Sequence, residues 1–366
     1  MKVLHILAHA SPDRLYGGPN SVAATQAEGL IARGHEVLLV AGSEGFEPGT
    51  ENIGDIPAAL FRSRRVVGRS YAYRLTPGMS AYVRRIARGF DVAHIHLARD
   101  LTTLPIALKM PIPLVVQPHG MLSSRSSSLH LLVDQLLTAN AVARASAVVA
   151  LNDAELAELE ARYKIRSGFV LPNPVRAGSG SRGSADGPQT VLFLARLHER
   201  KRPTLFVEAA LDLAAEGARM RFIVAGPDEG QGALLDTLIA SAGATVERIG
   251  SVDAGDVART MALADLYVLP AINEPFGLTL LEAVSNGTPV VADHTSSLGR
   301  ELAALNLGRV FDGTRAGLTA AIRSALADER LISTARDRGN ELVQARWGID
   351  HASSQLEKIY ESVVKV

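Results

Sequence analysis

The chain contains no cysteine. That excludes disulfide scaffolds, thiolate-ligated zinc, iron–sulfur clusters and thiol nucleophiles. It also carries no net charge, since 38 Lys and Arg offset 38 Asp and Glu. A nucleic-acid binder would need a basic excess for its phosphate contacts. No apolar run approaches the ~18 residues that suggest a membrane-spanning helix. The opening stretch Met1–His9 is too short and too His-bearing for a signal peptide and reads as a buried strand. The expected location is the cytoplasm or, peripherally, the inner face of a membrane. Finally, the sequence has no Asp-x-Asp pair of the kind that holds a divalent metal.

What is present is ample for two folded domains: 366 residues, 47% hydrophobic and 21% charged. Short β-branched runs alternate with helical spacing throughout. Strands are expected at Val3–Ala8, Glu36–Ala41, Val92–Leu97, Leu114–Gln117 and Ala147–Leu151, with helices at Ser21–Arg33 and Leu129–Arg144. The second half repeats the pattern, with strands at Thr190–Leu194, Arg221–Ala225, Leu266–Leu269 and Pro289–Val291. Its helices are expected at Pro203–Glu216, Ala233–Ala242, Asp256–Ala264 and Gly277–Asn286. Such alternation implies an α/β class with two doubly wound parallel sheets covered by helices. The first domain is expected over 1–175 and the second over 189–348. Between them, 176–188 has the Gly/Ser composition of a linker. It includes a literal Gly178-x-Gly180-x-x-Gly183, but no helix opens inside it, so the dinucleotide reading fails.

Four stretches carry candidate chemistry. In Asn273-Glu274-Pro275-Phe276-Gly277-Leu278-Thr279-Leu280-Leu281-Glu282, a strand leads into a helix. The first backbone N–H groups of a helix lack internal partners and suit phosphate. Glu274 before the helix and Glu282 about 7–8 Å along it can bracket one extended ligand with hydroxyl-accepting carboxylates. An ordinary helix with an acidic first turn is the competing reading. In Arg196-Leu197-His198-Glu199-Arg200-Lys201, cations follow the first strand of the second domain, at the sheet edge where ligands bind. Without a metal pair, Arg196 and Lys201 are the groups to neutralise a departing diphosphate; a solvated basic turn is the alternative. His119-Gly120 follows a strand of the first domain, and Gly17-Gly18 follows its first strand. His94-x-His96 places two imidazoles on one strand face, but no third metal ligand lies near in sequence.

Taken together and in this order, these motifs resemble the large retaining glycosyltransferase family four, group 1, of the Glu-x7-Glu type. The resemblance spans nearly the whole chain; Glu-Pro-Phe-Gly is its specific part. It implies the GT-B fold, two Rossmann-like domains facing a cleft, with the acceptor on the N-terminal side and a nucleoside-diphosphate sugar on the C-terminal side. It implies that the helix 349–366 packs back on the first domain. It further implies diphosphate binding by Arg196 and Lys201, ribose binding by Glu282, and donor-sugar binding by Glu274 beside Phe276, Gly277, Leu278 and Thr279. His119 would contact the sugar or phosphate. Gly17, Gly18, Asn173 and Gly226 complete the donor-side set, with Ser251 and Val252 near the base. No metal and no cofactor are implied, and UDP and GDP donors are not distinguished. A nonhydrolysing nucleotide-sugar epimerase and a non-catalytic nucleotide-sugar-binding partner remain alternatives. The expected partners are the donor and a glycan or lipid-linked acceptor, in bacterial polysaccharide or glycoconjugate assembly. The Arg62–Arg88 stretch, which holds eight Arg and no acid, adds a candidate anionic surface contact.

Overall fold

The computed structural model describes residues 1–12, 18–46, 50–65, 74–122, 137–178, 187–242 and 245–365. The chain divides into two compact units, Met1–Pro174 with Ile349–Val366, and Val175–Gly348.

The first unit is built on β1 (Lys2–Ala10), β2 (Glu36–Ser43), β3 (Asn52–Ile53), β4 (Ile56–Arg62), β5 (Arg64–Arg65), β6 (Arg74–Leu75), β7 (Val92–His96), β8 (Leu114–Gln117), β9 (Ala147–Ala150) and β10 (Gly168–Val170). Eight of these form one sheet in the order β10-β9-β8-β7-β1-β2-β4-β3, parallel except for β3, while β5 and β6 pair separately. The central strands are buried on both faces, which is why they read as nearly continuous apolar runs. Successive residues alternate faces: Val3 and Leu7 join one apolar cluster, Leu4 and Ile6 the other. The terminal helix Ile349–Val364 belongs to this unit and sets Leu356, Ile359, Tyr360 and Val363 into the first cluster. Arg33 ties that helix to the turn after Pro19–Ala32 through Glu357 at 2.7 Å and Asp350 at 2.9 Å.

The second unit contains β11 (Gln189–Leu194), β12 (Met220–Ala225), β13 (Val246–Gly250), β14 (Leu266–Leu269), β15 (Val290–Asp293) and β16 (Gly308–Phe311). They form one parallel sheet in the order β13-β12-β11-β14-β15-β16. Strand order reverses between β11 and β14, so the loops leaving their carboxyl ends flank a topological switch point, where open α/β sheets bind ligands.

The helix expected at Leu129–Arg144 is seen in its described part at Ala139–Arg144, and residues 123–136 lie outside the described residues. Two sequence expectations need correction. Residues 176–178 are part of the second unit: Gly178 donates its N–H to Asn340 at 3.2 Å, and a Cβ there would meet Ser285 O at 1.9 Å. Close packing, rather than flexibility, requires that glycine; 179–186 lie outside the described residues. The Arg62–Arg88 stretch comprises the end of β4, the β5–β6 pair and a helix at Met79–Ile86, with 66–73 outside the described residues. Arg74 is buried and paired with Glu44, so it leaves the surface set; Arg62, Arg64, Arg84, Arg85 and Arg88 are exposed.

Candidate functional site

In the second unit, the chain leaves β11 at Leu194 and turns back under backbone control. Ala195 N–H bonds Ala225 O at 3.1 Å and Leu197 N–H bonds Pro227 O at 2.8 Å. The Glu199–Lys201 turn is opened by His198, whose Nδ1 accepts from Arg200 N–H at 3.1 Å. Arg202 closes it in the left-handed region (φ 53°), and Pro203 starts the next helix, where a missing N–H costs nothing. This turn is tied to the loop after β14: Ile272 N–H bonds Arg200 O at 3.1 Å, and Arg200 Nη2 bonds Asn273 O at 3.0 Å. Asn273 is itself left-handed (φ 50°), a strained conformation of the kind that concentrates at functional sites.

The two expected motifs therefore meet. Lys201 Nζ lies 2.5 Å from Glu274 Oε2, both half-buried. The helix Leu278–Ser285 begins at Gly277 (φ 84°) with no side-chain cap, so its positive end is open to a ligand. Phe276, in the loop just before it, is buried. Tyr267 of β14 donates to Leu194 O at 3.0 Å and accepts from Thr279 Oγ1 at 2.8 Å, joining the ends of β11 and β14 to the helix start. Burial pushes the Tyr267 hydroxyl upward, so it stays a neutral donor. Burial also pushes the Glu282 carboxyl up to about 7. Arg196 pairs with Glu229 at 2.8 Å on a more exposed rim. Arg202, in contrast, is held by the buried Asp293 at 3.0 Å, a structural cation behind the turn.

Gly226 was expected to touch the donor. Its φ is 138°, and a Cβ there would stand 1.9 Å from Ala195 O, so the crossing of the β11 and β12 ends already demands glycine. Ser251 and Val252 line a cavity of about 390 Å³ together with Asp253, Asp256, Arg259 and Thr260.

In the first unit, His119 follows β8 in the left-handed region (φ 53°), before Gly120 (φ 75°). Glu155 holds this corner by accepting from Gly120 N–H at 2.6 Å and Leu151 N–H at 2.7 Å. His119 and Asn173 are brought together: Nδ1 lies 3.2 Å from Asn173 Oδ1. His119 Nε2 lies 2.7 Å from His96 Nδ1. Both ring nitrogens thus have protein partners. Burial lowers this imidazole to about 4, so it is neutral at pH 7. Gly18 precedes the helix Pro19–Ala32 with open space around it; Gly17 lies outside the described residues. His5 supplies the third imidazole beside His94 and His96 that sequence spacing did not reveal, because it comes from β1 through the parallel pairing with β7. Glu229, Tyr267 and Asp293 were also missed, since strand order, not local pattern, brings them in.

Known proteins match over most of the chain. The family model described as Glycosyltransferase Family 4 matches 16–177, and that described as Glycosyl transferases group 1 matches 178–341. A phosphatidyl-myo-inositol mannosyltransferase of Mycolicibacterium smegmatis is 29% identical, with 95% of this chain and 90% of that protein covered. A D-inositol 3-phosphate glycosyltransferase of Kineococcus radiotolerans is 29% identical, with 59% of this chain and 57% of that protein covered. Among solved structures, Anabaena HepE in complex with UDP superposes with a TM-score of 0.78 at 21% identity, covering 99% of this chain and 100% of that one. WaaG, a glycosyltransferase involved in lipopolysaccharide biosynthesis, gives 0.68 at 18%, covering 99% of each chain. The architecture shared with these structures is GT-B, two Rossmann-like units of parallel sheet.

Proposed function

Since the chain belongs to glycosyltransferase family 4, group 1, and is a glycosyltransferase, we propose that it transfers a hexosyl group from a nucleoside-diphosphate sugar to an acceptor hydroxyl, with retention and without a divalent metal. The observation that carries this reading is the half-buried Lys201–Glu274 pair at the switch point, in front of the uncapped helix start at Gly277. Lys201 and Arg196 are the cations for the diphosphate, aided by the backbone N–H groups of Gly277, Leu278 and Thr279. Glu282 takes the ribose hydroxyls, Glu274 those of the transferred sugar, and the Ser251–Val252 cavity is assigned to the base. His119 marks the first unit's candidate corner for the sugar, with contact through its ring edge or backbone, since both ring nitrogens are held by protein partners. Complexes of HepE with UDP and with UDP-glucose support a nucleotide-sugar donor.

In the reaction, the C1–O bond to phosphate breaks and its electron pair leaves with the nucleoside diphosphate. The acceptor oxygen bonds C1 on the same face, and its proton passes to the departing phosphate oxygen. Fixed cations stabilise the charge that develops there. Incubation with UDP-, GDP- and ADP-sugars in EDTA, with the product's anomeric configuration read by NMR, tests this. An α-configured product from an α-donor in EDTA is expected. Dependence on added magnesium or manganese, or inversion, would overturn it.

The acceptor is proposed to be anionic and held at a membrane surface. The helix Met79–Ile86 buries Met79 and Val83 while exposing Arg84 and Arg85, with Arg88 just beyond. Arg85 lies over Tyr82, 5.4 Å from its ring centre, and Tyr82 packs on Phe61. No helix among the described residues is long and apolar enough to cross a membrane. Each basic residue near an anionic surface contributes about 1 kcal/mol. Vesicles rich in anionic lipid should sediment the protein at low salt and lose an Arg84→Gln/Arg85→Gln/Arg88→Gln variant; equal sedimentation of both would remove this surface from the account.

A further inference from the structure

The first unit buries an unusual row of imidazoles, and their contacts share one direction. His5, His94 and His96 lie on the same face of β1 and β7, where His5 pairs with His94 and Leu7 with His96. Asn173 presents a carbonyl oxygen to His119 Nδ1, so that nitrogen carries the hydrogen. A neutral His119 then accepts at Nε2, which makes His96 Nδ1 the donor at 2.7 Å. By the same rule His96 Nε2 accepts from His5 Nδ1 at 3.1 Å. His5 Nε2 accepts from the Tyr360 hydroxyl at 3.3 Å, and Tyr360 in turn accepts from His94 Nδ1 at 2.7 Å. His94 Nε2 is left as an acceptor. It is buried, as is the Gln117 Nε2 amine, and neither makes a hydrogen bond among the described residues. Gln117 receives a bond from Gln26 at 3.0 Å. The planes of His96 and His119 differ by 6° with centroids 5.0 Å apart, an edge-to-edge pose that points one ring nitrogen at the other.

We propose that Asn173 and this one-way chain, from His94 through Tyr360, His5 and His96, together hold His119 as the neutral Nδ1–H tautomer in one orientation, as a positioning device for glycosyl transfer. Every imidazole in it is driven below its ordinary value by burial, so a neutral chain is the state at pH 7. Within the chain each imidazole has a single tautomer that satisfies its partners, and reversing any one link would oppose two donors. One ring nitrogen from each of His5, His94 and His96 lies within 4.8 Å of the others, the spacing of a possible metal centre. A metal there would take lone pairs that the chain uses, so the two arrangements exclude each other.

The consequence for transfer rests on the role given to His119 above; the tautomer itself does not. The full-length protein labelled with 15N-histidine is the sample, read by multiple-bond 1H–15N correlation at pH 7. His5, His94, His96 and His119 are all expected as neutral Nδ1–H forms. His96→Leu removes the donor to His119 Nε2 while Asn173 still accepts from Nδ1, so the tautomer should hold and the His119 Nε2 resonance should move to that of an acceptor without a partner. His96→Asn keeps an amide donor at the place of Nδ1 and should restore the wild-type pattern; it is also the variant that retains a hydrogen-bonding group if the leucine protein fails to fold. In the transfer assay, His96→Leu should lower kcat by roughly 10- to 100-fold with little change in the donor KM, the cost of a misplaced group, and His96→Asn should recover most of it. An Nε2–H His119 in the wild type, an unchanged His119 Nε2 resonance in His96→Leu, or stoichiometric zinc in protein purified without chelator would each overturn the chain. A shifted His119 Nε2 resonance with unchanged kcat would leave the chain standing and remove His119 from the transfer step.

Discussion

Glu282→Gln should make the second unit more stable at alkaline pH while leaving its acid-side stability nearly unchanged. Burial raises the Glu282 carboxyl from its ordinary 4.5 to about 7. The folded state therefore binds the proton more tightly than the unfolded chain. The associated stability is fully present below pH 4.5 and is lost as pH rises through 7. The shift is about 2.5 units at about 1.36 kcal/mol each, or roughly 3 kcal/mol; solvent contact of a half-buried side chain trims this to about 2 kcal/mol. Glutamine fills the same space and cannot ionise, so it escapes the loss. Urea unfolding of both proteins at pH 5 and pH 8.5 reads the difference directly: the variant should gain about 2 kcal/mol relative to wild type between the two conditions. Nucleotide binding should follow the same group. Ribose hydroxyls donate to the ionised carboxylate, so wild-type affinity should rise through pH 7 while the variant's stays flat. An identical stability difference at both pH values, or flat wild-type affinity, would refute the placement of Glu282 as a buried, ligand-ready carboxyl.

Lys201→Ala and Arg196→Ala should both depress transfer, Lys201→Ala more, because Lys201 is half-buried and its removal also strands Glu274; charged hydrogen bonds of this kind are worth roughly 1.5–3 kcal/mol. Steady-state kinetics alongside thermal melts will show whether the loss occurs in a folded protein, and near-normal kcat/KM in both variants would reduce the turn to a solvated one. Gly226→Ala should destabilise the second unit by about 2–3 kcal/mol, since its Cβ would collide with Ala195 O from a backbone that disfavours side chains; an unchanged urea midpoint would contradict the close crossing of β11 and β12.

The strands that were legible in the sequence are the central ones, β1, β2, β7, β8, β9, β11, β12, β14 and β15, because burial on both faces leaves a continuous apolar signature. The edge strands β10, β13 and β16 were not read, and neither were β3 to β6, among which β4 lies inside the sheet but is only partly buried along its second half. Val246-Glu247-Arg248-Ile249-Gly250 alternates polar and apolar residues and Gly168–Val170 is three residues long, so neither carries that signature. Helices at Arg315–Leu326 and Glu329–Trp347 also went unread, although Thr314 and Asp328 cap them by accepting from Gly317 and Leu331 N–H. At the site, Arg196, Lys201, Glu274 and Gly277 could be read because they sit on two loops that leave strand ends. Their partners could not. Glu229 reaches Arg196 from the end of β12, Tyr267 reaches Leu194 across the sheet, and His5 meets His96 across 91 positions. These pairings follow from strand order, which no local spacing encodes.

The central claim is that fixed cations and a helix start in the second unit hold a nucleoside diphosphate without a metal. Isothermal titration of UDP, GDP and ADP into wild type and Lys201→Ala, all in EDTA, tests it most directly. One nucleotide should bind the wild type clearly, and Lys201→Ala should weaken it by roughly 10- to 100-fold, as expected for a lost charged contact. Binding that appears only when magnesium is added, or that is unchanged in Lys201→Ala, would contradict it.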